Sequence, residues 1–246
     1  MPIDLSDLDA SSTALIRTVD ALGAEELAAP SLLPGWSRAH VVAHLALNGE
    51  ALAGVMDAVL RGDAVAMYES NEQRDRDIEE LAGAGQAELL DRMLSATTQF
   101  SDAALAMDDD AWDGWFCRTP GTEQVPVATV PQMRRREVEI HHADLGTVYG
   151  HVDWPQDFVI ELLDVVTVDQ APSGPFTVRA EDLGRSWAVG GDGGDRGPTV
   201  TGTGADLGWW LTGRGGDGAL STDGGGLPTL GPWRRASATA ARTPER

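Results

Sequence analysis

Histidine is rare in this chain, with five among 246 residues, and four of the five stand in two pairs. His40 and His44 are four residues apart, so on a helix they share a face. His141 and His142 are adjacent, and Glu137 precedes His141 by four residues. On a helix Glu137 and His141 therefore point the same way, one turn apart, while His142 lies about 100° around the axis. Two imidazoles and one carboxylate, with a position left open, are the donor set of a catalytic zinc site. A helical bundle that turned His44 and the Glu137–His141 pair towards its core would assemble such a site. Spacing alone leaves other readings open. His40 with His44 is itself an i, i+4 ligand pair, and Glu–His pairs at this spacing recur in helices that bind nothing. Val41, Val42, Leu45 and Leu47 mark the apolar stripe of that segment, and His44, one turn from Val41, lies nearer to it.

The elements that must position these residues read mainly as helix over residues 1–150. Leu5, Leu8, Leu15, Val19 and Leu22 recur at helical spacing, with Gly23 as a stop. Leu32 to Trp36 (LLPGW) is a turn, and Ser37 is an N-cap that opens a helix from about Arg38 to Leu60. A third helix is expected from about Asn71 to Met107, breakable at Gly83 and Gly85. Pro120, Pro126 and Pro131 then bound a long connection, and the segment after Pro131 reads as a fourth helix closing at Gly150. Four long amphipathic helices suffice for an antiparallel bundle. The texture changes at His151 to Pro155, where a domain boundary is expected, with a metal-binding bundle over 1–150 and a smaller α+β domain over 151–246. In the second part Asp157 to Val168 reads as a helix, PFTVRAE and RSWAVGG alternate as strands do, and Gly204 to Arg214 reads as a short amphipathic helix. The tail after Trp233 is expected to fray.

Composition excludes several functions. The net charge is −21, and every one of the 18 basic side chains is arginine. Without lysine there is no Schiff-base chemistry and no P-loop lysine. A pI near 4.4 argues against nucleic acid or an anionic membrane surface as partner. The single cysteine, Cys117, cannot close an internal disulfide, the N-terminus lacks the apolar core of a signal peptide, and no stretch approaches the roughly 20 apolar residues of a membrane span. A reduced, cytoplasmic protein is the expectation. Cys117 sits in a Trp-Phe-Cys run and reads as a small buried residue.

Four blocks, GWSRAHVVAHLALNGEAL, MYESNEQRDRDIE, RRREVEIHHADLG and TGTGADLGWWLTGR, follow one another in order along nearly the whole chain. Together they resemble the mycothiol-dependent maleylpyruvate isomerase family, within the wider group of DinB-like metal-dependent thiol enzymes. The resemblance implies an α+β protein with an N-terminal DinB-like four-helix bundle that carries zinc and a smaller C-terminal α/β domain. It selects His44, Glu137 and His141 as the metal ligands and leaves His40, His142 and Asp144 near the site, where Asp144 can orient an imidazole. It makes Arg74 a substrate- or thiol-contacting residue and Arg214 the arginine that the second domain contributes. Tyr68-Glu69-Ser70 departs from the Tyr-Pro-Ser turn frequent in relatives, which touches loop geometry and not the ligands.

The implied chemistry uses mycothiol as thiol cosubstrate. A thiol bound to such a metal is deprotonated; it adds to the cis double bond of maleylpyruvate, the bond rotates, and loss of the thiolate gives fumarylpyruvate. Arginine suits the carboxylates and the developing charge of that substrate. The same activated sulfur would also serve a mycothiol S-transferase acting on an electrophile. A non-enzymatic, metal-binding stress protein is the third reading, and it requires a closed site, for which only His40 offers a fourth ligand. Nickel, cobalt or iron would suit the same donors as zinc.

Overall fold

A computed structural model describes residues 4–191, 197–216 and 218–233. The expected fraying after Trp233 falls outside them. The chain divides into two compact units between Gly150 and His151.

The first unit contains α1 (Ser6–Asp20), α2 (Ala24–Ala28), α3 (Arg38–Leu60), α4 (Asn71–Ala82), α5 (Gln86–Ala106), α6 (Asp109–Trp112), β1 (Trp115–Cys117), β2 (Gln124–Pro126) and α7 (Val130–Asp144). Helix α3 is central. It packs on α4, α5 and α7, while α1 packs on α5 and α7, so α1, α3, α5 and α7 form the four-helix bundle. Apolar side chains line the faces that meet, among them Leu15 and Val19 of α1, Val41, Leu45 and Leu52 of α3, Met93 and Phe100 of α5, and Val138 of α7, all buried. The chain enters α3 as its sequence dictates: the Ser37 hydroxyl accepts the His40 amide N–H, and the His40 ring returns a contact to Ser37.

The helical stretch expected from Asn71 to Met107 breaks where its glycines allow, into α4 and α5 separated at Gly83–Gly85. Two features depart from the sequence expectation. The proline-bounded connection contains a small antiparallel ladder, β1 on β2, that proline content concealed. The fourth helix stops at Asp144 and not at Gly150. Its end is held from outside. Leu32 N–H donates to the Asp144 carbonyl at 2.8 Å, and the Arg38 guanidinium takes the Leu145 and Gly146 carbonyls at 2.7 and 3.0 Å. Gly146, at φ +62°, turns the chain there.

The second unit holds α8 (Gln156–Asp169), β3 (Phe176–Ala180), β4 (Arg185–Val189), β5 (Thr199–Gly202), α9 (Gly204–Leu211) and β6 (Ser221–Thr222). The strand order is β4-β3-β5-β6, with β3 parallel to β5 and the other pairs antiparallel. Alternate residues Phe176, Val178 and Ala180 of β3, with Trp187 and Val189 of β4, are buried, and α8 and α9 pack on the strands. This is the α+β composition expected. Arg214 does not end α9 as the sequence reading has it. The helix stops at Leu211, Gly213 adopts φ +81°, and the Arg214 amide reaches back to the Trp209 carbonyl at 3.2 Å while Gly213 N–H bonds Trp210 O. That is a Schellman closure with Arg214 just beyond it.

The Arg38 contacts predict a measurable effect. Each is a charge-assisted bond to a carbonyl that a helix end leaves open. Arg38→Ala should lower the stability of the first unit by about 1–3 kcal/mol, read as a shift of the urea midpoint followed by a probe in that unit; an unchanged midpoint would show that water replaces the guanidinium without loss.

Candidate metal centre

His44 projects from the second turn of α3, and Glu137 and His141 from successive turns of α7. Because α3 and α7 pack directly, the three meet. His44 Nε2 lies 3.0 Å and His141 Nε2 3.2 Å from the same oxygen, Glu137 Oε2. The two rings are nearly perpendicular, at 87°, with centroids 4.7 Å apart. His44 is 5 % exposed and Glu137 4 %. Among the described residues these three form the group of His, Cys, Asp or Glu able to hold a metal ion, with all ligand atoms within 4.8 Å of one another.

The arrangement fits such an ion. Bonds of about 2.0–2.2 Å to imidazole and carboxylate put neighbouring tetrahedral ligands roughly 3.3 Å apart, close to the spacing already present. His141 is oriented as a ligand should be: its Nδ1 meets Asp144 Oδ2 at 2.8 Å, and Asp144 is fully buried. A carboxylate on the far nitrogen fixes the tautomer and leaves Nε2 for coordination. Asp144 thus stands buried against His141 and not as a solvated residue of the helix surface.

His44 has a different neighbour. Arg74, in the first turn of α4, places Nη2 3.1 Å from His44 Nδ1. Arginine only donates, so Nδ1 accepts and the proton of the neutral ring sits on Nε2, bonded to Glu137. Burial pushes the pKa of His44 down to about 4, against the pull of Glu137, so the ring is neutral near pH 7. His141 behaves oppositely. Burial again disfavours its charge, but the bonds to Asp144 and Glu137 outweigh that, and its pKa is raised.

The remaining sequence candidates divide clearly. His40 faces Ser37 and Glu79 and stands outside the cluster. His142 points to the other side of α7, where Nε2 meets Thr18 Oγ1 at 2.7 Å and the ring stacks on Tyr149. Cys117 is half-buried on β1, not buried, with Sγ near the Val65 carbonyl, and takes no part. Arg214 belongs to the second unit, where its guanidinium carbon is 5.7 Å from the ring centroids of both Trp209 and Trp233 and Nη1 bonds Thr212 O. Two neighbours of the cluster escaped the sequence reading. Trp36 sets its ring edge-on to His44, at 5.7 Å between centroids. Arg134 is 2 % exposed and donates from Nη1 to Leu45 O and Asn48 Oδ1 at 2.7 and 2.9 Å. Burial lowers its pKa to about 10, so it remains charged, and it interacts with Glu137 one turn on. Its i, i+3 spacing from Glu137 was the available signal.

Fold and donors together define a helical-bundle protein with a buried two-histidine, one-carboxylate centre suited to a divalent metal. The Mycothiol maleylpyruvate isomerase N-terminal domain profile matches residues 8–146, and the MDMPI C-terminal domain profile matches 153–232. The chain therefore belongs to the mycothiol maleylpyruvate isomerase family, a family of cis–trans isomerase enzymes. Its structure is similar to the crystal structure of the mycothiol-dependent maleylpyruvate isomerase, with a TM-score of 0.84 and 25 % identity over 93 % of this chain and 95 % of that one. A histidine-to-alanine mutant of that isomerase matches equally well. No curated protein matches the chain. No helix among the described residues is long and apolar enough to cross a membrane.

The geometry separates ligands from neighbours by metal content. His44→Ala, Glu137→Ala and His141→Ala should each lose bound metal, while His40→Ala and His142→Ala should retain it. Elemental analysis of the five purified variants measures this, and full occupancy in the His141 variant would remove α7 from the site.

Proposed function

We propose that this protein is a mycothiol-dependent isomerase that converts maleylpyruvate, or a related cis-enoyl diacid, to fumarylpyruvate, with His44, Glu137 and His141 as zinc ligands. The observation that carries the reading is the convergence of these three side chains in the bundle of a chain belonging to this family. A divalent ion held there supplies the charge that keeps the thiol of mycothiol deprotonated near neutral pH.

The protein's residues have defined tasks in this reading. Glu137 brings the negative charge that two neutral imidazoles lack. Asp144 holds the proton of His141 on Nδ1, so that Nε2 presents its lone pair. His44 would hold the ion through Nε2 with its proton on Nδ1, and Arg74, which can only donate, would then be released from that nitrogen to meet an anion. Arg74 is thereby a substrate-binding residue, and Arg214 is the cation for the charge that develops on the substrate. On the substrate, the thiolate sulfur bonds one carbon of the cis double bond and the displaced electron pair moves onto the conjugated keto oxygen. The former double bond rotates, the electron pair returns, and the C–S bond breaks with the trans geometry in place.

Among the described residues no fourth ligand joins the three, which favours this over the structural-protein reading, because His40, the fourth ligand that reading needs, lies outside the cluster. The reduced thiol it requires places the enzyme in the cytoplasm, acting on a small anionic substrate and not on nucleic acid or membrane.

Turnover should require added thiol. Zinc-loaded protein with mycothiol should consume maleylpyruvate and release fumarylpyruvate with the thiol regenerated, and Cys117→Ala should behave as wild type. Undiminished turnover without thiol, abolished by Cys117→Ala, would make the nucleophile internal. A product that retains the mycothiol sulfur would mark an S-transferase.

Arg214 gives a second test. A helix-terminal arginine that only meets the dipole contributes about 0.3–1 kcal/mol; one that stabilises developing charge contributes about 2–4 kcal/mol, roughly 30- to 1000-fold in rate. Arg214→Ala should leave metal content and melting temperature unchanged while kcat/KM falls by that larger factor, and Arg214→Lys should recover part. A wild-type rate in Arg214→Ala would confine the residue to closing α9.

A further inference from the structure

The face of α7 turned away from the donor cluster is also buried, and it too is polar. Glu139 and His142 are each 2 % exposed, and Arg135 8 %. They meet α1 in three rungs that follow in the same order on both helices. Arg135 Nη1 lies 3.8 Å from Asp7 Oδ2, the Ser11 hydroxyl donates to Glu139 Oε1 at 2.5 Å, and His142 Nε2 lies 2.7 Å from Thr18 Oγ1. The chain beyond the helix adds a fourth contact. It turns at Gly146 and brings Tyr149 back to α7. There the phenol donates to Glu139 Oε2 at 2.5 Å, and the ring stacks on His142 with centroids 3.8 Å apart and planes 8° from parallel. Both carboxyl oxygens of Glu139 are thus held by hydroxyl groups, one from α1 and one from the chain after α7.

The chemistry proposed above uses none of these groups. As packing they gain little, since apolar side chains of the same volume stabilise a core as well as a buried polar network does. What the network adds is direction: a hydrogen bond weakens steeply as its angle falls, whereas apolar burial is indifferent to orientation.

Direction matters because of where Glu139 stands. At about 100° per residue it lies roughly 160° around the axis from both Glu137 and His141. The anchor and the two donors therefore occupy opposite sides of one helix, and a rotation that relaxed Glu139 would carry Glu137 and His141 through the same angle. Side-chain atoms about 5–6 Å from the axis move by about 1 Å in a 10° rotation, against roughly 0.2 Å of latitude in a metal–ligand distance.

We propose that Glu139 and Tyr149 are positioning residues for the metal centre: their hydrogen bond, with the Ser11 contact behind it, holds α7 at the rotation at which Glu137 and His141 meet His44. The inference rests on the reading of His44, Glu137 and His141 as ligands and adds the residues that set their orientation from the far side of the helix. Tyr149, outside α7, works as a latch on it, and His142 is the flat surface on which the latch rests.

The test measures zinc affinity of the full-length protein by competition with a chromophoric chelator, well below the melting temperature of each variant. Tyr149→Phe removes one oxygen and keeps the ring on His142; Glu139→Leu replaces the anchor by an apolar group of similar size. Each should weaken zinc roughly 10- to 100-fold, the span of outer-shell changes at metal sites, and Glu139→Gln, which keeps one carbonyl oxygen, should recover part. Phe100→Leu, a core change on α5, should lower the melting temperature and leave zinc affinity at the wild-type value. In the metal-free protein the ring 15N signals of His44 and His141 report their contacts with Glu137; they should move in Tyr149→Phe and not in Phe100→Leu. Wild-type zinc affinity in both Tyr149→Phe and Glu139→Leu, or an equal loss in Phe100→Leu, would overturn the proposal. If His44→Ala and His141→Ala lose zinc while Tyr149→Phe binds it as wild type does, the inference alone fails. If the ligand variants keep their metal, the ligand reading fails, and unmoved ring signals in Tyr149→Phe would remove the positioning role as well.

Discussion

One buried carboxylate governs the centre of this protein. Glu137 is almost wholly removed from water, and an ionised carboxylate in such a place costs several kcal/mol unless charge and hydrogen bonds compensate it. The compensation comes from three directions. His44 and His141 both aim Nε2 at one of its oxygens, and charged Arg134 lies one turn earlier on the same helix. The same surroundings place two ring nitrogens and a carboxylate oxygen where a divalent cation would be held. Electrostatic satisfaction of the core and assembly of the candidate metal centre are the same arrangement.

The surrounding elements are braced accordingly. Helices α3 and α7 must stay in register for His44 to meet Glu137, and the bracing lies at their ends. Ser37 caps α3, Arg38 in its first turn holds the carbonyls just past the end of α7, and Leu32 bonds the carbonyl of Asp144. Asp144 therefore works twice, through its backbone in ending the helix and through its side chain in orienting His141. Arg134 ties the middle of α7 to α3 by bonding Leu45 O and Asn48, and Gly49 leaves it room, since a Cβ there would stand 3.1 Å from its Nη2.

The distribution of charge has the same logic. A net charge of −21 repels anions at long range, so an anionic ligand must be met by local cations. Arginine is well suited to the task because its planar, weakly hydrated group stays charged when buried and stacks on aromatic rings. Arg74 lies over the Tyr68 ring, and Arg214 over those of Trp209 and Trp233 in the second unit.

Much of this was legible in the linear sequence, because helices write their periodicity and ends into it. The apolar spacing of α1, Ser37 before α3 and the glycines between α4 and α5 all mark elements that the structure contains. The shared face of Glu137 and His141 followed from their spacing of four, as did the divergence of His142. Other features depended on contacts between residues far apart in the chain. The early stop of α7 is imposed by Leu32 and Arg38, more than a hundred residues before it. The choice of His44 over His40 is made by the packing of α3 on α7, which buries one ring against Glu137 and leaves the other with Glu79. The burial of Arg134 was not legible either: its spacing of three from Glu137 marks a neighbour on the same face, but an arginine on a helix reads as solvated until tertiary packing removes the water. Local periodicity sets which residues can share a face; only the fold decides which face loses its solvent, and with it which charges must find each other.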